Sequence, residues 1–452
     1  MTIDITARPD TGAAYDEHAQ VHLGVFYTGV GPQLLWSDPA ARPHVAIETF
    51  VEVAQLLERG LFDAFFLGEG LRVRENRGRV YDLDVAGRPD AITQLAALAG
   101  ATEFIGLVAT QNTTYNFPAD LARRLASLDL LSQGRAGWNI VTTDNAWTGE
   151  NFRYGGWLAH ERRYERAGDF ATAAKQLWES YEKAVEYHSE LVDFSTIGSV
   201  PPSPQGRPVL FQAGDSDGGR ELAATHADTV FSANTDFDKA VAYAKDLRTR
   251  LARHGRTPDE LRILPGASVV LGATEQEAKD KAQWVHEQQV TGPRALAFFE
   301  QYWGTDLSAY DPDGPLPDID PVDGELDPSR GTLPIERRTG KLQQIQEFRE
   351  RSAAEGLSIL DLARELTRAH PSFVGTPDQV ADQWAHYVRT RAVDGFNLLP
   401  YSIPDSLTDV VDTLVPALQE RGVYRTAYTG RTLREHLQLP PVGATSERRL
   451  SA

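Results

Sequence analysis

The chain has 452 residues, 41% hydrophobic and 24% charged, the profile of a globular protein with a sizeable core. Its 64 acidic against 45 basic side chains give a net charge of −19, which repels phosphate backbones and argues against a nucleic-acid partner. It has no cysteine, which excludes disulfides, thiolate metal sites and a cysteine nucleophile together.

The N-terminal MTIDITARPD has no apolar core of signal-peptide length, and no run approaches the roughly 18 apolar residues of a membrane helix. A cytoplasmic protein with no membrane contact is expected. Residues 21–27 (VHLGVFY) form the first predicted strand, broken by Gly29, Gly31 and Pro32. Residues 44–58 place Val45, Phe50, Val53, Ala54 and Leu57 at helical spacing, and Gly60 ends that helix. Strand two is 63–67 and the next helix 89–100, with Pro near its first turn and Gly at its end. Strand three is 105–110, followed by a helix over 118–131. Strand four is 136–141, and a long helix runs from His160 to Tyr181.

Residues 185–200 interrupt the alternation as an excursion of hairpin type. Strand five is 209–213, with a helix opening at Ser216. Strand six, 228–233, precedes a helix over 237–254; strand seven, 263–271, precedes one over 275–289. Between 291 and 370 the pattern fails, and 311–328 is rich in Pro, Asp and Gly. This stretch reads as an insertion of lid type. A helix then begins at Thr376, strand eight spans 395–400 and the final helix 407–420. The tail, 421–452, is expected to wrap the outside or a neighbour. Eight strand–helix units argue for one α/β domain over 1–452, a (β/α)8 TIM-like barrel with insertions. An open doubly wound sheet is the alternative, since alternation alone does not close a sheet.

The chemistry gathers where strands end, above all in QGRAGWNIVTTDNAWTGENFRYGGWLAHERRY, residues 133–164. There a buried strand delivers Thr142, Thr143, Asp144 and Asn145 to its C-terminal end, where parallel α/β proteins build sites. Strand two ends in Gly68-Glu69, strand three in Thr110 to Tyr115, strand five in Gly214 to Gly219, and strand eight at Tyr401. Hydroxyls, amides and aromatics of this kind suit a flat polar heterocycle. Gly214 to Gly219 follows a strand and opens a helix, a cradle for phosphate in which Ser216 donates its hydroxyl. On spacing alone Ser216 is equally well a helix N-cap, and Asp215 and Asp217 oppose an anion unless they turn away. His160 and Tyr164 share a helix face, which the charged surroundings HERRYER make a surface face by default. Asp63 reads as a solvated carboxylate capping a backbone N–H. Trp138 reads as core, and a buried Asn139 must be hydrogen-bonded, which makes it a polar pocket wall. There is no Walker A, H-E-x-x-H, EF-hand loop or catalytic triad, and no metal site is expected. Paired carboxylates of a glycosidase barrel remain a rival.

Six stretches carry a resemblance: FDAFFLGE (62–69), VATQNTTYNFPADLARRLASLDLLSQGRAGWNIVTT (108–143), HERRYERAGDF (160–170), SPQGRPVLFQAGDSDGGRELAATHAD (203–228), FVGTPDQVAD (373–382) and GVYRTAYTGRTLREHL (422–437). Together they resemble the two-component, reduced-flavin-dependent monooxygenases of the bacterial luciferase superfamily. The nearest branch holds nitrilotriacetate, EDTA and dibenzothiophene-sulfone monooxygenases and the pristinamycin synthase large subunit. The resemblance implies a barrel binding FMN at the C-terminal ends of its strands, an insertion over the site, and a homodimer or homotetramer. It implies flavin contacts at Asp63, Thr110, His160, Tyr164 and Ser216. It also implies an NAD(P)H:flavin reductase as partner. Oxygen would add to the reduced FMN, giving a C4a-peroxy species that passes one oxygen atom to a small organic substrate. In relatives Thr-Ser follows Asn-Ile-Val where this chain has Thr142-Thr143-Asp144, and the next loop carries an Arg that Gly149 to Arg153 lacks at that position. Those loops line the substrate side, so the departures bear on substrate identity. The rivals are an F420-dependent oxidoreductase of the same superfamily, a hydrolase using paired carboxylates, and a flavin-binding protein without turnover.

Overall fold

The computed structural model describes residues 8–27, 34–35, 45–72, 75–76, 79–80, 89–142, 146–152, 158–322, 341–367 and 371–442. Among them, nine parallel strands form one sheet: β1 His22–Tyr27, β2 Ala64–Leu67, β3 Gly106–Asn112, β4 Ala136–Val141, β5 Val209–Ala213, β6 Thr229–Phe231, β7 Arg262–Ile263, β8 Gly266–Ala267 and β9 Gly395–Leu398. Their order is β7-β6-β5-β4-β3-β2-β1-β9-β8. The two end strands are separated only by Leu264 and Pro265, so the sheet meets itself there. Toward β6, Leu264 N donates to Val230 O (2.9 Å) and Gly266 N to Ser232 O (2.8 Å). Toward β9, Ile263 O accepts from Asp394 N and Pro265 O from Asn397 N, both 2.9 Å. The sheet is therefore a closed TIM-like barrel and not an open doubly wound one.

Strand seven differs from the single run over 263–271 read from the sequence. Pro265 has no N–H for the ladder, so pairing breaks there. Val269–Leu271 then leaves the barrel and pairs with Phe373–Gly375 in a separate two-stranded sheet. Several of the helices between strands start on side-chain caps. Asp90 accepts from Thr93 N, Asp236 from Lys239 N and Thr274 from Glu277 N, and Thr376 and Gln379 form a capping box. The excursion is an antiparallel hairpin, Ala184–His188 with Asp193–Ile197.

Each barrel strand sends alternate residues to the helices and to the lumen. The lumen carries Phe26, Phe66, Phe211 and Phe231, with centroids 4.9–6.3 Å apart. Against this aromatic layer pack Ala64, Val108, Val209 and Leu264, together with Leu433, Leu437 and Leu439 from the C-terminal tail. The described part of the tail is thus an internal plug; it does not wrap the outside as expected. Two glycines admit it. A Cβ on Gly106 would collide with Leu433, and one on Gly137 would lie 2.9 Å from Val108 and 3.3 Å from Leu433. Arg262 holds the plug by donating to Leu437 O (2.8 Å) and Gln438 O (2.6 Å).

The insertion contains the helices Gly292–Trp303, Lys341–Glu355 and Ile359–Leu366 around a small core of its own, including Phe299, Trp303, Ile345 and Leu362. It is anchored to the end of the helix Glu275–Gln289, where Arg364 O accepts from His286 Nε2 at 2.8 Å. None of the described helices is long and apolar enough to cross a membrane.

Candidate functional site

The polar ends of β2, β3, β4 and β5 share one mouth of the barrel because all the strands are parallel. Asn112, fully buried at the end of β3, organises the β3 side. Its Oδ1 accepts from Tyr115 N (2.7 Å), folding the chain back. Its Nδ2 therefore faces the other way and donates to Glu69 Oε2 (3.1 Å) at the end of β2. Arg166, on the helix His160–Trp178, donates to Thr113 O (2.8 Å), Asn116 O (2.9 Å) and Leu191 O, which ties that helix to the β3 loop and to the hairpin tip. Trp138 is core, as read from the sequence, with Nε1 on Gln111 O at 3.0 Å.

On the β5 side, Ser216 is the N-cap of the helix Asp217–His226 and accepts from Gly219 N at 3.1 Å. Its Oγ is also 2.8 Å from the Tyr164 hydroxyl. The cap and ligand readings of Ser216 are compatible: the same oxygen that caps the helix sits beside a phenol at its N-terminus. The two acids that opposed an anion are both turned to other partners. Asp215 accepts from Ala233 N (2.9 Å), and Asp217 pairs with Arg250 (2.6 Å). Gly218 lets Tyr164 approach, since a Cβ there would lie 3.0 Å from its ring. What remains is a helix N-terminus with two hydroxyls that can meet an anion, beside an Asp215 carboxylate that keeps its charge and has one oxygen unpartnered among the described residues.

Of the five expected cofactor residues, the structure brings Tyr164 and Ser216 into contact. It puts Thr110 on β3 at the same end, bonded to Asn139 on β4 (3.1 Å). His160 is placed as the first residue of its helix, one turn before Tyr164; its side chain lies outside the described residues. Thr143, Asp144, Asn145 and Arg153 also lie outside them.

Asp63 is not brought to the others. It precedes β2 and so lies at the opposite end of the barrel, fully buried. There it accepts from Leu23 N (2.7 Å) and pairs with His22 (3.1 Å) and with Arg425 of the tail (2.5 Å). Burial alone would raise its carboxyl, but Arg425 and His22 outweigh that and hold it at about 2. The expectation that it caps a backbone N–H holds; the expectation that it is solvated does not, because the tail covers it. On the site side stands Glu69, the acid that follows strand two in the sequence. Burial pushes Glu69 up to about 7, against the opposing bonds from Asn112. The signal was present: FDAFFLGE carries an acid on each side of a four-residue strand, so one acid must fall at each end.

The chain is 36% identical to N-acetyl-S-(2-succino)cysteine monooxygenase of Bacillus subtilis (strain 168), over 93% of this chain and 97% of the relative. It is 37% identical to nitrilotriacetate monooxygenase component A of Aminobacter aminovorans, over 92% and 94%. Among solved structures, riboflavin lyase with modified FMN and its substrate riboflavin superimposes with a TM-score of 0.72 at 28% identity, over 92% of this chain and 95% of that one. The chain belongs to the luciferase-like monooxygenase family, whose model matches residues 24–394.

Proposed function

We propose that this chain is the oxygenating component of a two-component system that uses reduced FMN, delivered by a separate NAD(P)H:flavin reductase, and O2. Monooxygenase activity is common to relatives matched along about nine-tenths of the chain. The observation that carries the cofactor reading is the Tyr164–Ser216 pair on a glycine-rich helix N-terminus at the barrel mouth. When bound, reduced FMN supplies the two electrons that let one oxygen atom of O2 enter the substrate while the other leaves as water.

The protein's own part is to bind, orient and exclude water. Ser216, Tyr164 and the helix N–H groups hold the phosphate. Thr110 and Asn139 present a polar wall. The aromatic layer and the tail plug close the floor against water. Glu69 can keep a proton on its carboxyl near neutral pH. A cytoplasmic location and a homodimer or homotetramer complete the proposal.

The test is a titration of FMN and riboflavin against Ser216→Ala and Tyr164→Phe. A hydrogen bond to a charged group contributes about 1.5–3 kcal/mol, or about one to two orders of magnitude in affinity. FMN should weaken by about tenfold or more, and riboflavin, which lacks the phosphate, much less. Equal losses for both ligands would mean that these side chains do not hold the phosphate. Efficient NADH oxidation by the purified chain alone would count against the two-component reading.

A further inference from the structure

The helix His160–Trp178 meets the helix Asp217–His226 at both ends. At the mouth Tyr164 touches Ser216, and at the far end Lys175 Nζ donates to His226 O at 3.1 Å, across 51 positions of sequence. Tyr164, Gly168, Ala171 and Lys175 recur at helical spacing, so they share one face. Helix rise puts Lys175 about 16 Å beyond Tyr164, and His226 about 15 Å beyond Ser216. The two contacts therefore lie at matching heights on two parallel helices. Small residues between them keep the helices close: Ala171 is fully buried, and a Cβ on Gly168 would lie 3.7 Å from His226 Nε2.

At the mouth, the Tyr164 ring against Gly218 limits how closely the helices approach, but not how far one slides along the other. A second contact at the far end does limit sliding. Capping alone does not explain Lys175, because Arg256 already donates to Ala224 O (2.9 Å) and Ala227 O (2.7 Å) at the same helix end. We propose that Lys175 is a positioning residue for the phosphate: its hold on His226 O fixes the axial register of the two helices, and so the gap between the Tyr164 and Ser216 hydroxyls. The proposal rests on the flavin reading above. Lys175 stands at the opposite end of the helix from the phosphate and acts only through those two hydroxyls. Its ammonium is faced by Arg207, Arg256, Asp228, Glu179 and His226, and Arg434 pairs with Asp228 from the tail. Burial and the two facing arginines push the ammonium down to about 7, against Asp228 and Glu179. Burial, Lys175 itself, Arg256, His254 and Arg207 push His226 down to about 3. Across neutral pH, then, Lys175 changes charge and His226 stays neutral. The ammonium is the stronger donor, and it is lost as pH rises through 7.

Lys175→Met keeps the length of the side chain and removes the charged donor, whereas Lys175→Arg keeps a cation that does not titrate. The wild type and both variants are titrated with FMN and with riboflavin at pH 6 and pH 8.5. All three proteins keep Glu69 and meet the same FMN, so other titrations cancel in the comparison. At pH 6 Lys175→Met should bind FMN about fivefold more weakly than the wild type, and riboflavin within about twofold. At pH 8.5 the FMN gap should close. Lys175→Arg should match the wild type at pH 6 and bind FMN about fivefold more tightly than it does at pH 8.5. Equal losses for FMN and riboflavin in Lys175→Met would make Lys175 a general prop of the fold and overturn the proposal. So would unchanged FMN affinity of that variant at pH 6, or a gap of the same size at pH 8.5. If Lys175→Met does not fold, the comparison of Lys175→Arg with the wild type decides alone: an affinity ratio that is the same at both pH values overturns the proposal. A wild type that binds neither flavin sinks the flavin reading and the proposal with it, a result recognised before any variant is compared.

Discussion

Asp63→Asn separates a clamp on the tail from a cofactor contact. The variant keeps the shape and can still accept from Leu23 N, but it leaves Arg425 buried without its counter-ion. Removing one partner of a buried pair costs about 3–5 kcal/mol. Linkage gives a smaller figure. A carboxyl held at about 2 in place of its ordinary 3.8 contributes about 2 kcal/mol at neutral pH. The larger figure is the better guide, because it includes the stranded guanidinium as well as the lost carboxylate. Its pH signature has a definite sign. A depressed carboxyl contributes fully above about pH 4, and that contribution fades as pH falls through 2. The gap between wild type and variant in urea unfolding should therefore be about 3 kcal/mol at pH 7 and shrink toward pH 2. FMN affinity, measured on the folded variant, should stay within about twofold. A variant that unfolds like the wild type but binds FMN tenfold more weakly would refute the reasoning and return Asp63 to the site.

Glu69→Gln tests the acid at the mouth. Its carboxyl is raised from 4.5 to about 7, so its contribution is present below about pH 4.5 and is lost as pH rises through 7. Between pH 5 and 8.5 the wild type should lose at most about 3 kcal/mol relative to Glu69→Gln in urea unfolding; parallel stability profiles would show that Glu69 ionises normally. Leu433→Ala should cost about 2–5 kcal/mol, because the plug residue is fully buried in the lumen. A thermal midpoint equal to that of the wild type would mean that the tail does not fill the barrel in solution.

Much of the fold was legible because its signals are local. Apolar runs of strand length, amphipathic helices and their caps recur along the chain and need no partner to be recognised. The helix Pro118–Leu131 and the strands Ala136–Val141 and Val209–Ala213 fall where their periodicity puts them. Ser216 was legible as a cap, and its glycine-rich turn as a cradle. Local pattern does not say which way a side chain is finally turned. Of the two aspartates beside Ser216, Asp217 is neutralised by Arg250, which no local pattern announces, and Asp215 is fixed in direction by Ala233 N. Strand seven was read as one run because apolar composition does not record which neighbour a backbone pairs with, and Pro265 cuts the ladder without interrupting the apolar pattern. The tail reads as an outer wrap, because nothing local in its sequence marks it for the lumen. Gly106 and Gly137 open the space for Leu433, and Arg425 meets Asp63 across 362 positions of sequence. Such contacts depend on closure of the whole barrel, which decides which acid of FDAFFLGE is buried under the tail and which one faces the mouth.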